Sequence, residues 1–401
     1  MSGAPYRIVL AAGGTGGHVI PALAVSEELA ALGHLLRLVT DRRGSRYADV
    51  GPEIATDIIS AGRLAGGRII GALKALPAIV AGTVASIRIL RRFSAHVVVG
   101  FGGYPALPVL LAAVLTRTPA CLHEQNAHLG RVNRLMLWTV RALAVSYRTT
   151  VGVPRRMRAL KVVTGNPIRA EVADLYDNPY SPPEADGEFR IVVLGGSQGA
   201  AVMDDVVPAA ISVLPRSLRR RIHIVQQCRD RNLDAVKAKY RDMEVRAELA
   251  TFLDDVASQL RQAHMVIARA GASTLCEIAV AGRPAVLVPL PGAMDDHQTA
   301  NARVLEKAGG ARLMPQSRFK PPALAKLLQR WARRPAELQQ LATGVRRVAR
   351  PEAARSLADL VEWLGRVSLR RQRGLDADAP VERREPHLES PSGSGRRKVA
   401  S

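Results

Sequence analysis

A run of glycines between a short apolar strand and a helix is the first feature of this chain that could do chemistry. Arg7-Ile-Val-Leu10 leads into Gly13, Gly14, Thr15, Gly16 and Gly17, and then into His18. Such a turn lets backbone approach a phosphate closely, while the free N–H groups at the helix start favour negative charge. Pro21 suits the first turn of that helix. The spacing is neither the dinucleotide GxGxxG nor the P-loop GxxxxGK. Asp41 ends the second strand-like run, where a dinucleotide fold places its ribose-binding acid, so a nicotinamide nucleotide stays an alternative. His18 has two readings, a general base or a helix-cap residue.

Two further loops repeat the theme. Gly195, Gly196, Ser197, Gln198 and Gly199 follow a second buried run and read as a phosphate cradle or a tight turn of small residues. In MVIARAGASTLCEIAVAG (265–282) a helix starts near Ser273 or Thr274. There Thr274-x-x-Glu277 matches a capping box, and Glu277 equally fits a carboxylate that accepts both hydroxyls of a ribose. Arg169, after Gly165-Asn166-Pro167, is placed to neutralise an anionic leaving group or to form an interdomain salt bridge. Metal chemistry is disfavoured: Asp-x-Asp occurs only as Asp376-Ala-Asp378, and no histidine pair has zinc spacing.

The elements that position these loops follow from composition and pattern. A chain of 401 residues with 47% apolar and 23% charged types holds two or three globular domains and is not a disordered polymer. Cys121, Cys228 and Cys276 are too widely spaced for a disulfide framework, which fits a reducing cytosol. Met1 to Pro5 runs straight into a strand without the pattern of a signal peptide, so export is not expected. The strand–glycine turn–helix pattern starting at Arg7 recurs at Arg190, with the glycine pairs Gly13-Gly14 and Gly195-Gly196 in matching places. Further strand-like runs at 35–40, 96–101, 119–123, 161–165, 221–227, 265–268 and 284–290 alternate with helical stretches. That alternation predicts an α/β protein with two doubly wound parallel domains. The expected boundaries are 1–165, 166–345, a closing helix over 346–365 and a disordered basic tail over 366–401, with a hinge at 164–168. The uncharged stretch 94–116 is long enough to span a bilayer, but its glycines and prolines split it into strand, loop and short helix.

The formal charge of +22 is local: residues 58–170 hold sixteen Lys or Arg and one carboxylate, Glu124. Within them Ile69 to Ile89 is apolar apart from Lys74 and Arg88, and Arg63, Arg68, Arg91 and Arg92 flank it. Apolar side chains ringed by cations suit an anionic leaflet, and a buried helix with solvated ends reads equally well. Nucleic acid is disfavoured, with only fifteen aromatic residues and no stacking motif.

The motifs GGTGGHVIPALAVSEEL, VGFGGYPALP, HEQNAHLGRVNRL, TGNPIR, VLGGSQGA, RAGASTLCEIAVAGRPAVLVPLP, DDHQTANA and LEKAGGA occur in this order between residues 7 and about 365. In set and order they resemble the MurG family, the bacterial lipid II synthases. The resemblance implies a GT-B fold, two Rossmann-like domains facing a cleft. It implies an inverting, metal-independent enzyme without cofactor that moves N-acetylglucosamine (GlcNAc) from UDP-GlcNAc to the C4 hydroxyl of undecaprenyl-pyrophosphoryl-N-acetylmuramoyl-pentapeptide (lipid I). The N-terminal domain would hold the lipid acceptor and the C-terminal domain the sugar nucleotide.

Carried onto this chain, the resemblance puts Arg169 and Ser197 at the pyrophosphate and the Leu253 backbone at the uracil. Ala272, Ser273, Thr274, Leu275, Cys276 and Glu277 would wrap the nucleotide, with Glu277 on the ribose, and Gln298 would hold the sugar hydroxyls. Thr15, Gly16, Gly17 and Asn126 would complete the donor site from across the cleft. His18 is the first candidate for the base and Glu124 the second. Peripheral attachment to the anionic cytoplasmic face of the inner membrane through residues 63–92, and a cell-wall synthesis complex as partner, are further implications. Two departures stand out: Ala106 replaces the serine of many members, and the tail beyond about 365 is atypical. The alternatives are a related GT-B transferase with another acceptor, or a non-catalytic nucleotide-sugar or nucleic-acid binding protein.

Overall fold

The computed structural model describes residues 5–48, 54–62, 68–196 and 199–372. The first sheet holds β1 (Arg7–Ala11), β2 (Leu35–Thr40), β3 (Ala55–Ile58), β4 (Val97–Gly100), β5 (Ala120–Glu124), β6 (Ala142–Val145) and β7 (Leu160–Val163). They lie parallel in the order β3-β2-β1-β4-β5-β6-β7. The second sheet holds β8 (Phe189–Leu194), β9 (Ile222–Gln227), β10 (Arg246–Ala250), β11 (Met265–Ala268), β12 (Ala285–Leu287) and β13 (Ala311–Leu313). Its parallel order is β10-β9-β8-β11-β12-β13. Each is a doubly wound sheet whose strand order reverses beside its first strand, and ligands of such folds bind at that switch point beyond the strand C-termini. Both glycine turns follow those first strands, β1 and β8, so the topology places each at a switch point.

Helices cover both faces of each sheet, which is why the central strands read as continuous apolar runs. Along β1, Ile8 and Leu10 enter one core layer while Val9 and Ala11 enter the other. The helix Ala353–Gln372 follows the second domain in sequence yet returns to the first. Its Leu357, Ala358, Val361 and Leu364 are fully buried against Ile8, Leu10, Val97 and Val99. At about 1.5–3 kcal/mol for each large apolar side chain buried, the first domain draws much of one core layer from this helix. Residues 366–372, expected to begin the tail, continue it, and Ser368 is buried. Residues 373–401 lie outside the described ones.

The chain crosses between domains twice, after β7 and again before Ala353. The crossings touch at Gly165, whose φ is +85° and where a Cβ would stand 2.6 Å from Arg350 Cβ and 2.9 Å from Ala353 Cβ. Any side chain there would push the crossings apart.

The helix Gly16–Ala31 starts five residues ahead of Pro21, so the proline sits in the second turn rather than the first. Lacking an N–H, Pro21 leaves the Gly17 carbonyl without its helical partner. Among the described residues no helix is long and apolar enough to cross a membrane. The stretch 94–116 is β4, a loop and the helix Ala106–Leu115.

Candidate active site

His18 occupies the first turn of the helix Gly16–Ala31, beyond the tip of β1. Its Nδ1 lies 3.2 Å from Gln125 Oε1. Its ring edge faces the loop after β4, where a Cβ on Gly103 would come within 3.2 Å of His18 Cδ2 and 3.0 Å of the Gly13 carbonyl. With φ at +73°, Gly103 suits both the turn and the contact. Burial lowers the pKa of His18, opposed by the charge of Glu124, so the imidazole is neutral near pH 7 and able to accept a proton. Thr15 precedes the helix as its N-cap and Gly17 follows, both exposed with no side-chain cap bond, while Gly16 is buried. The cap reading of His18 gives way, because Thr15 holds that position.

Glu124 ends β5 and is buried. Its Oε1 accepts from the Asn126 N–H (3.0 Å) and Asn126 Nδ2 (3.1 Å), its Oε2 from the Gly130 N–H (2.8 Å) and Asn133 Nδ2 (2.8 Å). Four donors on two oxygens make it the organiser of the loop 125–133 and leave it poorly placed to take a substrate proton. Asp41 does similar work for the first glycine loop, accepting from Gly14 N–H (2.8 Å), Gly44 N–H (3.0 Å) and Arg43 Nε (3.0 Å). Burial opposes its charge, but these bonds prevail and its pKa is lowered. An aspartate so occupied is a loop anchor, which removes the ground for a nicotinamide nucleotide. Ala106 is fully buried.

On the opposing domain, Arg169 Nη2 and Nε lie 2.9 and 3.3 Å from Glu277 Oε1. The pair brings the expected pyrophosphate and ribose residues into contact, leaving Oε2 outside it. Burial raises the pKa of Glu277, with Arg169 pulling it down. The helix Ala272–Ala281 has Gly271 as N-cap with no side-chain cap bond, so Glu277 is not spent on a capping box. In its first turn, where helix N–H groups are free, the Ser273 Oγ is buried without a partner. Thr274 is partly exposed beside it, and Leu275 is fully buried in the core. Cys276 meets Tyr147 of the first domain (Oη to Sγ 3.6 Å), and burial pushes its thiol up to about 11, an unreactive state. Gln298 accepts the Leu290 N–H at 2.9 Å through Oε1, and Leu253 packs half-buried in the turn after β10. Ser197 lies outside the described residues.

Sequence reasoning passed over the residue that joins the halves. Asn301 is fully buried on the helix His297–Lys307 and receives the Ala127 N–H on Oδ1 (2.7 Å). Its Nδ2 donates to Asn126 Oδ1 (3.0 Å) and to the Ala270 carbonyl (3.2 Å). One amide thus ties the Glu124-ordered loop to the turn ahead of Ala272. Its signal in sequence was an asparagine on the inner face of a helix. Arg131 and Asp295 add an exposed bidentate pair across the cleft (3.2 and 3.3 Å). Among the described residues no group of three His, Cys, Asp or Glu is arranged to hold a metal ion.

Comparison with known proteins identifies the family. Residues 8–145 match the glycosyltransferase family 28 N-terminal domain and residues 190–358 its C-terminal domain. A protein of Zymomonas mobilis is 46% identical over 377 residues, 94% of this chain and 97% of that protein. One of Sphingopyxis alaskensis is 49% identical over 359 residues, 90% and 91% of the two chains. Both are named UDP-N-acetylglucosamine–N-acetylmuramyl-(pentapeptide) pyrophosphoryl-undecaprenol N-acetylglucosamine transferase. The crystal structure of Acinetobacter baumannii MurG superposes with a TM-score of 0.72 at 31% identity, covering 90% of this chain and all of that one.

Proposed function

The chain belongs to glycosyltransferase family 28, and from that premise we propose that it transfers N-acetylglucosamine from UDP-GlcNAc to the C4 hydroxyl of the muramoyl sugar of lipid I, with inversion. The observation that carries the reading is near-full-length identity with relatives of that one printed activity. The site geometry supports it: a neutral histidine at one switch point opposes an arginine–carboxylate pair and a helix N-terminus at the other.

In this mechanism the helix start at Ala272 and Arg169 bind the pyrophosphate, with Ser197 beside them. Glu277 takes the ribose hydroxyls, the Leu253 backbone the uracil, and Gln298 with Thr15, Gly16, Gly17 and Asn126 the sugar. His18 removes the proton of the attacking hydroxyl as its oxygen bonds to the anomeric carbon. The bond to the UDP oxygen breaks, its electron pair leaves with UDP, and helix dipole and guanidinium stabilise that charge. The test is transfer of labelled GlcNAc to a lipid I analogue with EDTA present, where full turnover is expected. Donor binding without turnover would overturn the acceptor.

The same reading places the protein at the inner face of the cytoplasmic membrane. The helix Arg68–Phe93 supports it: Leu76, Val80 and Val84, spaced by four residues, are 53%, 53% and 42% exposed, and Arg88, Arg91 and Arg92 follow, all exposed. An apolar stripe ending in cations matches a leaflet of anionic lipid. Residues 63–67 of the expected segment lie outside the described ones. Flotation with phosphatidylglycerol vesicles should carry the protein up, and a Val80→Asp, Val84→Asp double variant should stay below. Equal flotation of both would discard this surface.

A further inference from the structure

Behind His18 runs a chain of buried polar groups that reaches the domain crossing. His123, fully buried on β5, has Nε2 at 2.9 Å from the Gly165 carbonyl. A carbonyl only accepts, so this nitrogen carries hydrogen. Burial drops the pKa of His123 to about 4, leaving Nδ1 a bare acceptor. Gln125, 1% exposed, donates from Nε2 to the Phe101 carbonyl (2.8 Å) and lies with the same nitrogen 3.1 Å from His123 Nδ1. Turning this amide over would set Oε1 against the Phe101 carbonyl, oxygen to oxygen. Two backbone carbonyls therefore fix the direction of the relay, and Gln125 Oε1 is left as the acceptor that meets His18 Nδ1.

We propose that Gln125 and His123 are positioning residues that hold neutral His18 as its Nδ1–H tautomer, so that the lone pair sits on Nε2, the nitrogen beside Gly103. Nε2 lies 3.5 Å from where a Cβ on Gly103 would stand, on the side left open by that glycine. In the opposite tautomer the hydrogen would occupy Nε2 and block proton acceptance there. The relay begins at Gly165, so the base is set from the point where the two crossings meet, and a rotation of the domains that moved this carbonyl would be felt at His18. The role of the tautomer in transfer rests on the function proposed above; the tautomer itself does not.

The experiment is nitrogen NMR of the full chain with 15N-histidine, His18 being assigned by the signal lost in His18→Ala. The wild type should show His18 protonated at Nδ1 and bare at Nε2 above its titration. Gln125→Met, close in shape, should give a mixture of tautomers and lower kcat about 10- to 100-fold, with KM for UDP-GlcNAc within about twofold. A wild-type His18 protonated at Nε2 overturns the proposal whether or not any variant folds, as does a Gln125→Met protein with wild-type tautomer and kcat. Absence of transfer by a wild type with the expected tautomer would instead fault the proposed reaction.

Discussion

Replacing His18 with alanine should lower kcat about 10²- to 10⁴-fold while leaving the melting temperature and the KM for UDP-GlcNAc close to wild type. The side chain meets Gln125 (Oε1 at 3.2 Å) and the Phe101 carbonyl nearby, both of which keep other partners, so its removal strands little. The pH dependence has a definite sign. Burial lowers the pKa of His18, and the charge of Glu124 offsets part of that; His297 across the cleft lowers it further, and His123 stays neutral beside it. The base form therefore fills as pH rises through a value below the ordinary 6.5, and kcat should climb there and level off above it. A kcat insensitive to His18→Ala would move the base elsewhere.

Glu124→Gln separates a base from a scaffold. A second catalytic carboxylate would lose kcat with its fold intact. The geometry here forecasts a different result, because an amide at this position sets its NH₂ against two N–H donors, either those of Asn126 or those of Gly130 and Asn133. Two hydrogen bonds to a buried charge are lost, at about 1.5–3 kcal/mol each. The melting temperature should fall by about 10 °C along with kcat, since loop 125–133 carries Gln125 and Asn126. Thermal melting beside kinetics reads it: a wild-type melting temperature with kcat lost would restore Glu124 as a base.

Why some features were legible before any coordinates and others were not has physical causes. The strands beside each switch point, such as β1, β4, β8 and β11, are buried on both faces, and burial forces the apolar runs that reveal them. β3, β10 and β13 escaped notice because they are sheet edges of three to five residues, with polar or exposed positions. β6, Ala142–Val145, is buried but alanine-rich, so nothing marks it as extended. Glycine turns announce His18, Arg169 and Glu277 because a close backbone approach needs those residue types. The amides Gln125, Asn133 and Asn301 gave no such signal. Their work depends on partners 24, 10 and up to 175 positions away in the chain, a relation that only folding creates.

The return of the last helix to the first sheet has a consequence for synthesis. On a ribosome the first domain starts to fold early, yet Ile8, Leu10, Val97 and Val99 lack the cover of Leu357, Val361 and Leu364 until the whole second domain has emerged. At about 5–20 residues per second, the roughly 250 residues between Val99 and Leu357 leave that face bare for tens of seconds or less. The half of the molecule begun first is finished last, and in that interval its uncovered sheet face is the surface on which chaperones and aggregation compete.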